Sequence, residues 1–393
     1  MKFSFDFEVF YNNLMDLSTV IDDSMSLDEL RNIVLYFDKA TNECKMIGIN
    51  QLITYKKTIV SPNVECDFTD CKQNYFILQL KNRGLINYLN TYRNLHRSIA
   101  TKVTFIMREH GQVECMVEEQ NKDTKALYTS SRLFNEIPVR NATLEKVNLT
   151  NTTNETVEIV SKDLDIYLHT LSSVLTRGTT IYSKILFGTD YVVVFNSAMT
   201  SLMPNNLDND VFKNITISFS VVQLLHRLCG KYEKFIVAKG TYYIYIKTDD
   251  SESFVVYDDK LANYSMFVDS FKLDNTFTLD KLQMKEIIKR LRLDKDIVDI
   301  VCDFNESTIW FDNNTYNQKM SINNVVGFME MTKMKFKIMP TVLEHVILGN
   351  ESVFGDNCKV SFIDTKKDAC LIYFMDDSNK WFTVIRVKAL IEK

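Results

Sequence analysis

The chain has 393 residues, 46% of them hydrophobic and 25% charged, with 10 glycines, 4 prolines and a net charge of −5. This allows one to three domains with an ample core and little chain for long flexible linkers. It argues against a protein that grips nucleic acid by overall charge, and no apolar run reaches the roughly 18–20 residues of a membrane span.

The first sixty residues set the pattern. In MKFSFDF, Phe3, Phe5 and Phe7 alternate with Lys2, Ser4 and Asp6, which predicts a half-buried strand. Next, Phe10, Leu14, Leu17 and Ile21 recur every three or four residues, as on one side of a helix. Three strand-like runs follow, Leu30–Phe37, Cys44–Ile49 and Leu52–Ile59, with a polar turn at Asp38–Glu43. The same strand–helix–strands grammar restarts at Tyr75, Val157, Ile215, Thr276 and Phe336. Six repeats of about 65 residues each are of a length suited to one supersecondary element. Polar stretches at Arg140–Glu155 and Ser270–Asn275 separate the repeats into three pairs.

Three predicted helices carry basic residues opposite their apolar faces. Over Leu80–Ile99 these are Arg83, Arg93 and Arg97, with no acid in the segment. Over Ser220–Lys234 they are Arg227, Lys231 and Lys234, with Ser220 and Gln223 spaced as a capping box. Over Lys281–Leu293, Lys281, Lys285, Lys289 and Arg292 form one stripe. Each stripe is open to two readings, a solvated helix face or a surface for phosphates. The other three helices are acidic or mixed.

Motifs for catalysis are missing. There is no G-x-G-x-x-G, no P-loop and no H-E-x-x-H. The five histidines, His96, His110, His169, His226 and His345, show no metal-ligand spacing. Eight cysteines form no C-x-x-C pair, and buried thiols are expected. The acidic pairs Asp249–Asp250, Asp258–Asp259 and Asp376–Asp377 fall in turn-like contexts, where aspartate is favoured for its own sake. No metal or cofactor is expected, and the balance favours a binding protein over an enzyme.

Residues at both ends and in the middle carry a resemblance. MKFSFDFEVFYNNL followed by LRNIVLYF, with Leu30, Asn32 and Ile33, resembles the opening of the bacterial β sliding clamp, the processivity subunit of replicative DNA polymerase. IYSKILFGTDYVVVFNSAMTSL is similar to that family's second-domain stretch, and WFTVIRVKAL to its closing strand. The likeness spans nearly the whole chain and suits a divergent, phage-encoded version. It implies an α+β DNA-clamp fold of three tandem domains, 1–145, 146–272 and 273–393. Each would hold two strand–helix–three-strand repeats, with helices lining a ring and sheets outside. Two chains would join head to tail around duplex DNA without regard to sequence. DNA polymerase and a clamp loader would dock through short linear peptides, with no catalysis, in the cytoplasm.

The resemblance also assigns residues. The basic side chains above would face DNA. Arg177 would stand in for the arginine that the family places after its first helix, where Ser24 lies here. A pocket for partner peptides would be walled by Tyr182, Phe195, Met199, Leu202, Val268, Leu273, Val387, Lys388 and Leu390. This sequence departs from the family there, reading FNSAMT (Phe195–Thr200) for T-D-G-H-R-L and RVKAL (Arg386–Leu390) for M-P-M-R-L. For each of these apolar residues plain core packing is the competing reading. Leu127, Tyr128, Leu291 and Leu293 would lie at the ring joint. The competing functions are a clamp-like scaffold in transcription or repair, and a nucleic-acid enzyme whose carboxylates assemble only in the fold.

Overall fold

A computed structural model describes the chain except residues 22–30, 61–64, 68–72, 94, 154, 173, 176–183, 197–198, 261, 294–296, 314, 329–330, 348–354, 365–369 and 393. The six repeats are present. The first is β1 (Lys2–Asp6), α1 (Phe7–Ser18), β2 (Asn32–Asp38), β3 (Glu43–Ile49) and β4 (Ile53–Ile59), with a short β5 (Glu65–Asp67) after it. The second is β6 (Tyr75–Lys81), α2 (Asn82–Asn90), β7 (Ser98–Met107), β8 (Gln112–Asn121) and β9 (Leu127–Asn135). A connector holds α3 (Asn141–Val147). The third repeat is β10 (Val157–Val160), α4 (Ser161–Ser172), β11 (Lys184–Phe187), β12 (Tyr191–Phe195) and β13 (Met199–Pro204). The fourth is β14 (Ile215–Ser218), α5 (Phe219–Lys231), β15 (Lys234–Lys239), β16 (Tyr243–Lys247) and β17 (Ser251–Val256). A second connector holds α6 (Ser265–Asp269). The fifth is β18 (Thr276–Asp280), α7 (Lys281–Leu291), β19 (Val298–Asp303), β20 (Thr308–Asn313) and β21 (Tyr316–Ser321), trailed by β22 (Asn323–Val326). The sixth is β23 (Lys333–Ile338), α8 (Pro340–Ile347), β24 (Asn357–Asp364), β25 (Cys370–Met375), β26 (Phe382–Val387) and β27 (Ala389–Glu392).

Local chemistry explains the strand-to-helix switch. Asp6 ends β1 in extended conformation and accepts a hydrogen bond from the Val9 amide at 3.0 Å, so it caps α1. Asp280 does the same for α7, accepting from the Gln283 amide at 2.7 Å. In the polar turn after β2, Asp38 accepts from the Ala40 amide at 2.8 Å and Asn42 takes a left-handed φ of 55°. The helix expected over Leu80–Ile99 stops at Asn90, where the Thr91 hydroxyl bonds the Tyr88 carbonyl at 2.7 Å. Ile99 belongs to β7 instead.

The repeats interlock by exchanging their first strands. The sheets run β5-β1-β7-β8-β9, β10-β15-β16-β17-β4-β3-β2-β6, β14-β11-β12-β13-β26-β25-β24-β18-β22 and β21-β20-β19-β23-β27. Each first strand therefore pairs with the three-strand meander of the neighbouring repeat. Two compact units result, residues 1–161 with 230–257, and 162–229 with 258–393. The meander of the fourth repeat completes a sheet of the first unit, and that of the third completes a sheet of the second.

In the first unit, Phe3, Phe5, Phe10, Phe37 and Phe105 are fully buried, with the Phe3 and Phe37 rings stacked at 3.8 Å. Ser4, expected on an exposed face, is buried as well; its hydroxyl is satisfied by Thr104 at 3.0 Å. In the second unit, Phe277, Phe304, Phe328 and Phe362 form the corresponding aromatic core.

Candidate nucleic-acid interface and apolar platform

The basic residues divide by environment. Arg83 is exposed on α2. Arg93 and Arg97 are exposed but lie beyond the end of the helix, and the Arg93 guanidinium sits 4.9 Å over the Tyr11 ring. On α7, Lys281 and Lys285 are half-buried and Lys289, Arg290 and Arg292 exposed. Arg292 is bound to Glu344 of α8 at 2.6 Å, and Arg290, passed over in the sequence reading, donates to Gln318 of β21 at 3.0 Å.

The stripe expected on the fourth-repeat helix is corrected. That helix ends at Lys231, so Lys234 is a strand residue, and its ammonium pairs with Glu158 at 2.7 Å. Lys231 lies 3.5 Å from Asp16 and 3.6 Å from Asp250. The same two carboxylates hold the buried Lys57 at 2.5 and 3.7 Å, and the Tyr232 hydroxyl donates to Asp250. Arg227 is half-buried. The helix begins at Phe219, so Ser220 stands within its first turn, hydroxyl to hydroxyl with Ser218 at 3.0 Å, rather than at the cap. Arg177 and Tyr182 lie outside the described residues.

Lys56, beside Lys57 on β4, points to the other face of the sheet. Its ammonium donates to the carbonyls of Val147 and Leu149 at 2.7 and 2.5 Å and lies 5.1 Å over the Phe254 ring. Burial lowers its pKa to about 8, against the pull of Glu252.

One aspartate of each acidic pair is engaged within the fold. Asp250 belongs to the lysine cluster, Asp258 lies 3.4 Å from Lys184, and Asp376 accepts from the Lys380 and Trp381 amides at 3.1 and 3.0 Å. Burial pushes the thiols of Cys115, Cys302 and Cys358 up, away from the reactive thiolate. Among the described residues, no group of three or more His, Cys, Asp or Glu side chains is arranged to hold a metal. No described helix is long and apolar enough to cross a membrane.

One face of the nine-stranded sheet carries an apolar platform. Leu202, Tyr373, Phe382 and Val384 are buried there, with Tyr191, Phe195, Tyr264, Phe267, Val268 and Phe271 packed on them. The Phe271 ring stacks on Phe382 at 5.2 Å with the planes 2° apart, and the Tyr373 hydroxyl donates to the Phe267 carbonyl at 3.1 Å. Phe195, Leu202 and Val268 from the expected pocket are thus brought together. Met199 is buried on the opposite face of β13 from Leu202, because three residues along a strand reverse the side-chain direction. Leu273 is partly exposed on the connector. Lys388 and Leu390 are not packed on this platform. After Val387, itself half-buried, the chain leaves the nine-stranded sheet and β27 pairs with β23, leaving Lys388 exposed and Leu390 72% exposed. The sequence reading missed Phe267, on α6, and Phe271, just past its end.

Two outer strands complete the picture. Among the described residues β9 is one edge of its sheet, and it exposes Leu127, Tyr128 and Leu133. Such an edge invites pairing unless it is covered. β21 is an edge of the last sheet, and beside it a groove of about 540 Å³ is lined by Leu282, Ile287, Arg290, Lys319 and Met320. Leu293 is 73% exposed, whereas Leu291 is fully buried in its own unit and has no surface to offer a partner.

No family model and no curated protein matches the sequence. Solved structures do match its fold. The DNA polymerase III β subunit of Borrelia burgdorferi aligns with a TM-score of 0.73 at 10% identity, over 98% of this chain and 99% of that one. The DNA polymerase III β chain of Streptococcus pneumoniae gives 0.71 at 12% identity, with the same coverage. A DNA polymerase sliding clamp of Pseudomonas aeruginosa gives 0.71 at 10%, again with 98% and 99% covered. The chain therefore has the sliding-clamp fold over 98% of its length.

Proposed function

We propose that this chain is a non-enzymatic sliding clamp. Two copies, each of three domains (1–145, 146–272 and 273–393), close head to tail around duplex DNA and tether a DNA polymerase. The main support is the agreement of fold along 98% of the chain with solved clamps. The exposed basic residues of α2, its following turn and α7 supply cations for phosphates, a contact that carries no sequence information and so permits sliding. With retention set by topology, weak and salt-sensitive attraction suffices, in keeping with a net charge of −5. The edge strands β9 and β21 are the surfaces through which one copy would pair with the next. The aromatic platform is the docking face for polymerase and loader peptides, reshaped by Phe267 and Phe271.

The test is retention on DNA of different topology. The chain, loaded on nicked circular DNA, is expected to stay bound and to be lost when the circle is linearised. Equal retention on both would overturn encirclement. Mass in solution is expected at two chains, falling to one in a Leu127→Asp, Leu133→Asp variant.

A further inference from the structure

The histidines are dispersed in the sequence, yet folding brings two of them together. His169 stands near the end of α4 and His226 on α5. Their ring centroids lie 6.0 Å apart, the planes inclined by 31°. His226 Nδ1 is 2.7 Å from Oδ1 of Asp165. Asp165 precedes His169 by four residues, so the carboxylate and the second imidazole share one face of α4. All three side chains reach solvent, with His226 51% exposed and Asp165 37%.

A carboxylate that accepts from Nδ1–H fixes the tautomer and leaves Nε2 with its lone pair. Proteins orient metal-binding histidines in this way. Two nitrogens on one tetrahedral ion, each at about 2.0–2.1 Å, sit about 3.4 Å apart. The ring centroids stand 6.0 Å apart, so binding one ion requires the exposed His169 side chain to turn toward His226, which Asp165 holds.

We propose that His169 and His226, with Asp165 orienting His226, bind a first-row divalent cation of the nickel–copper–zinc class. The ion is held by two imidazole nitrogens and its other positions are filled by water. Imidazole donors select these ions over magnesium and calcium, which take oxygen ligands. Nearby charges oppose one another: Asp163 and Lys162 in the first turn of α4, and Arg227 beside His226. Selectivity therefore rests on the nitrogens rather than on a negative field. With two protein ligands the ion exchanges readily, and it ties the helices of two successive repeats. The site stands on this pair alone and does not depend on the clamp reading.

Titration of the full-length, untagged chain with zinc, nickel and magnesium chlorides, read by calorimetry and by thermal unfolding, tests the site. Zinc and nickel are expected to saturate one site per chain and raise the melting temperature, and magnesium to do neither. His169→Ala and His226→Ala should each weaken binding at least about tenfold. Asp165→Asn should cost about 10–100-fold, as loss of an outer-shell partner does. Circular dichroism of the metal-free variants checks that each is folded. Absence of a saturable site, magnesium binding as tight as zinc, or unchanged affinity in the double histidine variant would each overturn the proposal.

Discussion

Helix α7 and the adjoining Arg292 carry Lys281, Lys285, Lys289, Arg290 and Arg292 against a single acid of their own, Glu286, 3.8 Å from Lys289, while Glu344 of α8 takes Arg292 at 2.6 Å. At the end of α5, by contrast, Lys231 is drawn between Asp16 and Asp250 and shares them with Lys57, while Lys234 has passed into a strand and paired with Glu158. Both segments look basic on a helical wheel. They differ in what the rest of the chain brings to them: Asp16 lies 215 residues from Lys231 in sequence. A wheel fixes which way a side chain points and is silent about the partner waiting there. Cations that survive folding with an exposed charge are the ones available to a polyanion.

Charge reversal is the harshest way to probe that contrast. Arg83→Glu, Arg93→Glu and Lys289→Glu together are expected to weaken duplex binding by two or more orders of magnitude. The slope of log affinity on log salt should fall by about 3, roughly one per phosphate contact. Lys231→Ala, already neutralised at home, should change binding no more than about threefold by the same reasoning. A loss as large as that of the triple variant would erase the distinction between the two helices.

Lys57→Met removes the buried partner of Asp16 and Asp250 and should cost roughly 3 kcal/mol, since a broken buried pair leaves charge uncompensated. Chemical unfolding midpoints would reveal it, and a neutral result would mean that Lys231 alone balances both acids. Lys56 sharpens the point from the opposite face of β4, where carbonyls rather than carboxylates receive the ammonium. Its pKa of about 8 lies below the ordinary lysine value, so the unfolded chain binds more protons between about pH 8 and 10.5. Its contribution is unfavourable below pH 8 and is relieved as pH rises through that window, by roughly 3 kcal/mol. The neutral amine still has protons for both carbonyls. The difference in stability between the parent chain and Lys56→Met, followed from pH 7 to 10, should show this rise; a flat difference would refute it. The smallest effect is expected from Asp280→Ala, which removes the cap of α7 and should cost about 1 kcal/mol in thermal unfolding.

The strand–helix alternation was legible because it is local. Phe3 and Phe5 announce a strand, and Phe10, Leu14 and Leu17 a helix; the caps that make the switch, Asp6 and Asp280, emerge only in the structure. The site was legible only in part. Phe195 and Leu202 meet because they point to the same face of adjacent strands, and Val268 of α6 packs on that face. Lys388 and Leu390 go elsewhere because β27 finds a hydrogen-bonding partner in β23, and sheet partners are set by tertiary packing rather than by periodicity. Leu291, the last residue of α7, falls on its inward face, while Leu293, two residues on and past the end of the helix, points away and is exposed.

The nine-stranded sheet joins β13 to β26, with Leu202 opposite Phe382. During synthesis the edge of β13 must wait for about 180 further residues, which at ribosomal speed is roughly 10–40 s. Throughout that interval a strand of buried, apolar sequence presents unpaired amides to whatever is nearby. Nascent chains that stall short of β26 should therefore be the ones that holdase chaperones retain, and premature stop codons late in the gene should yield inclusion bodies rather than soluble fragments.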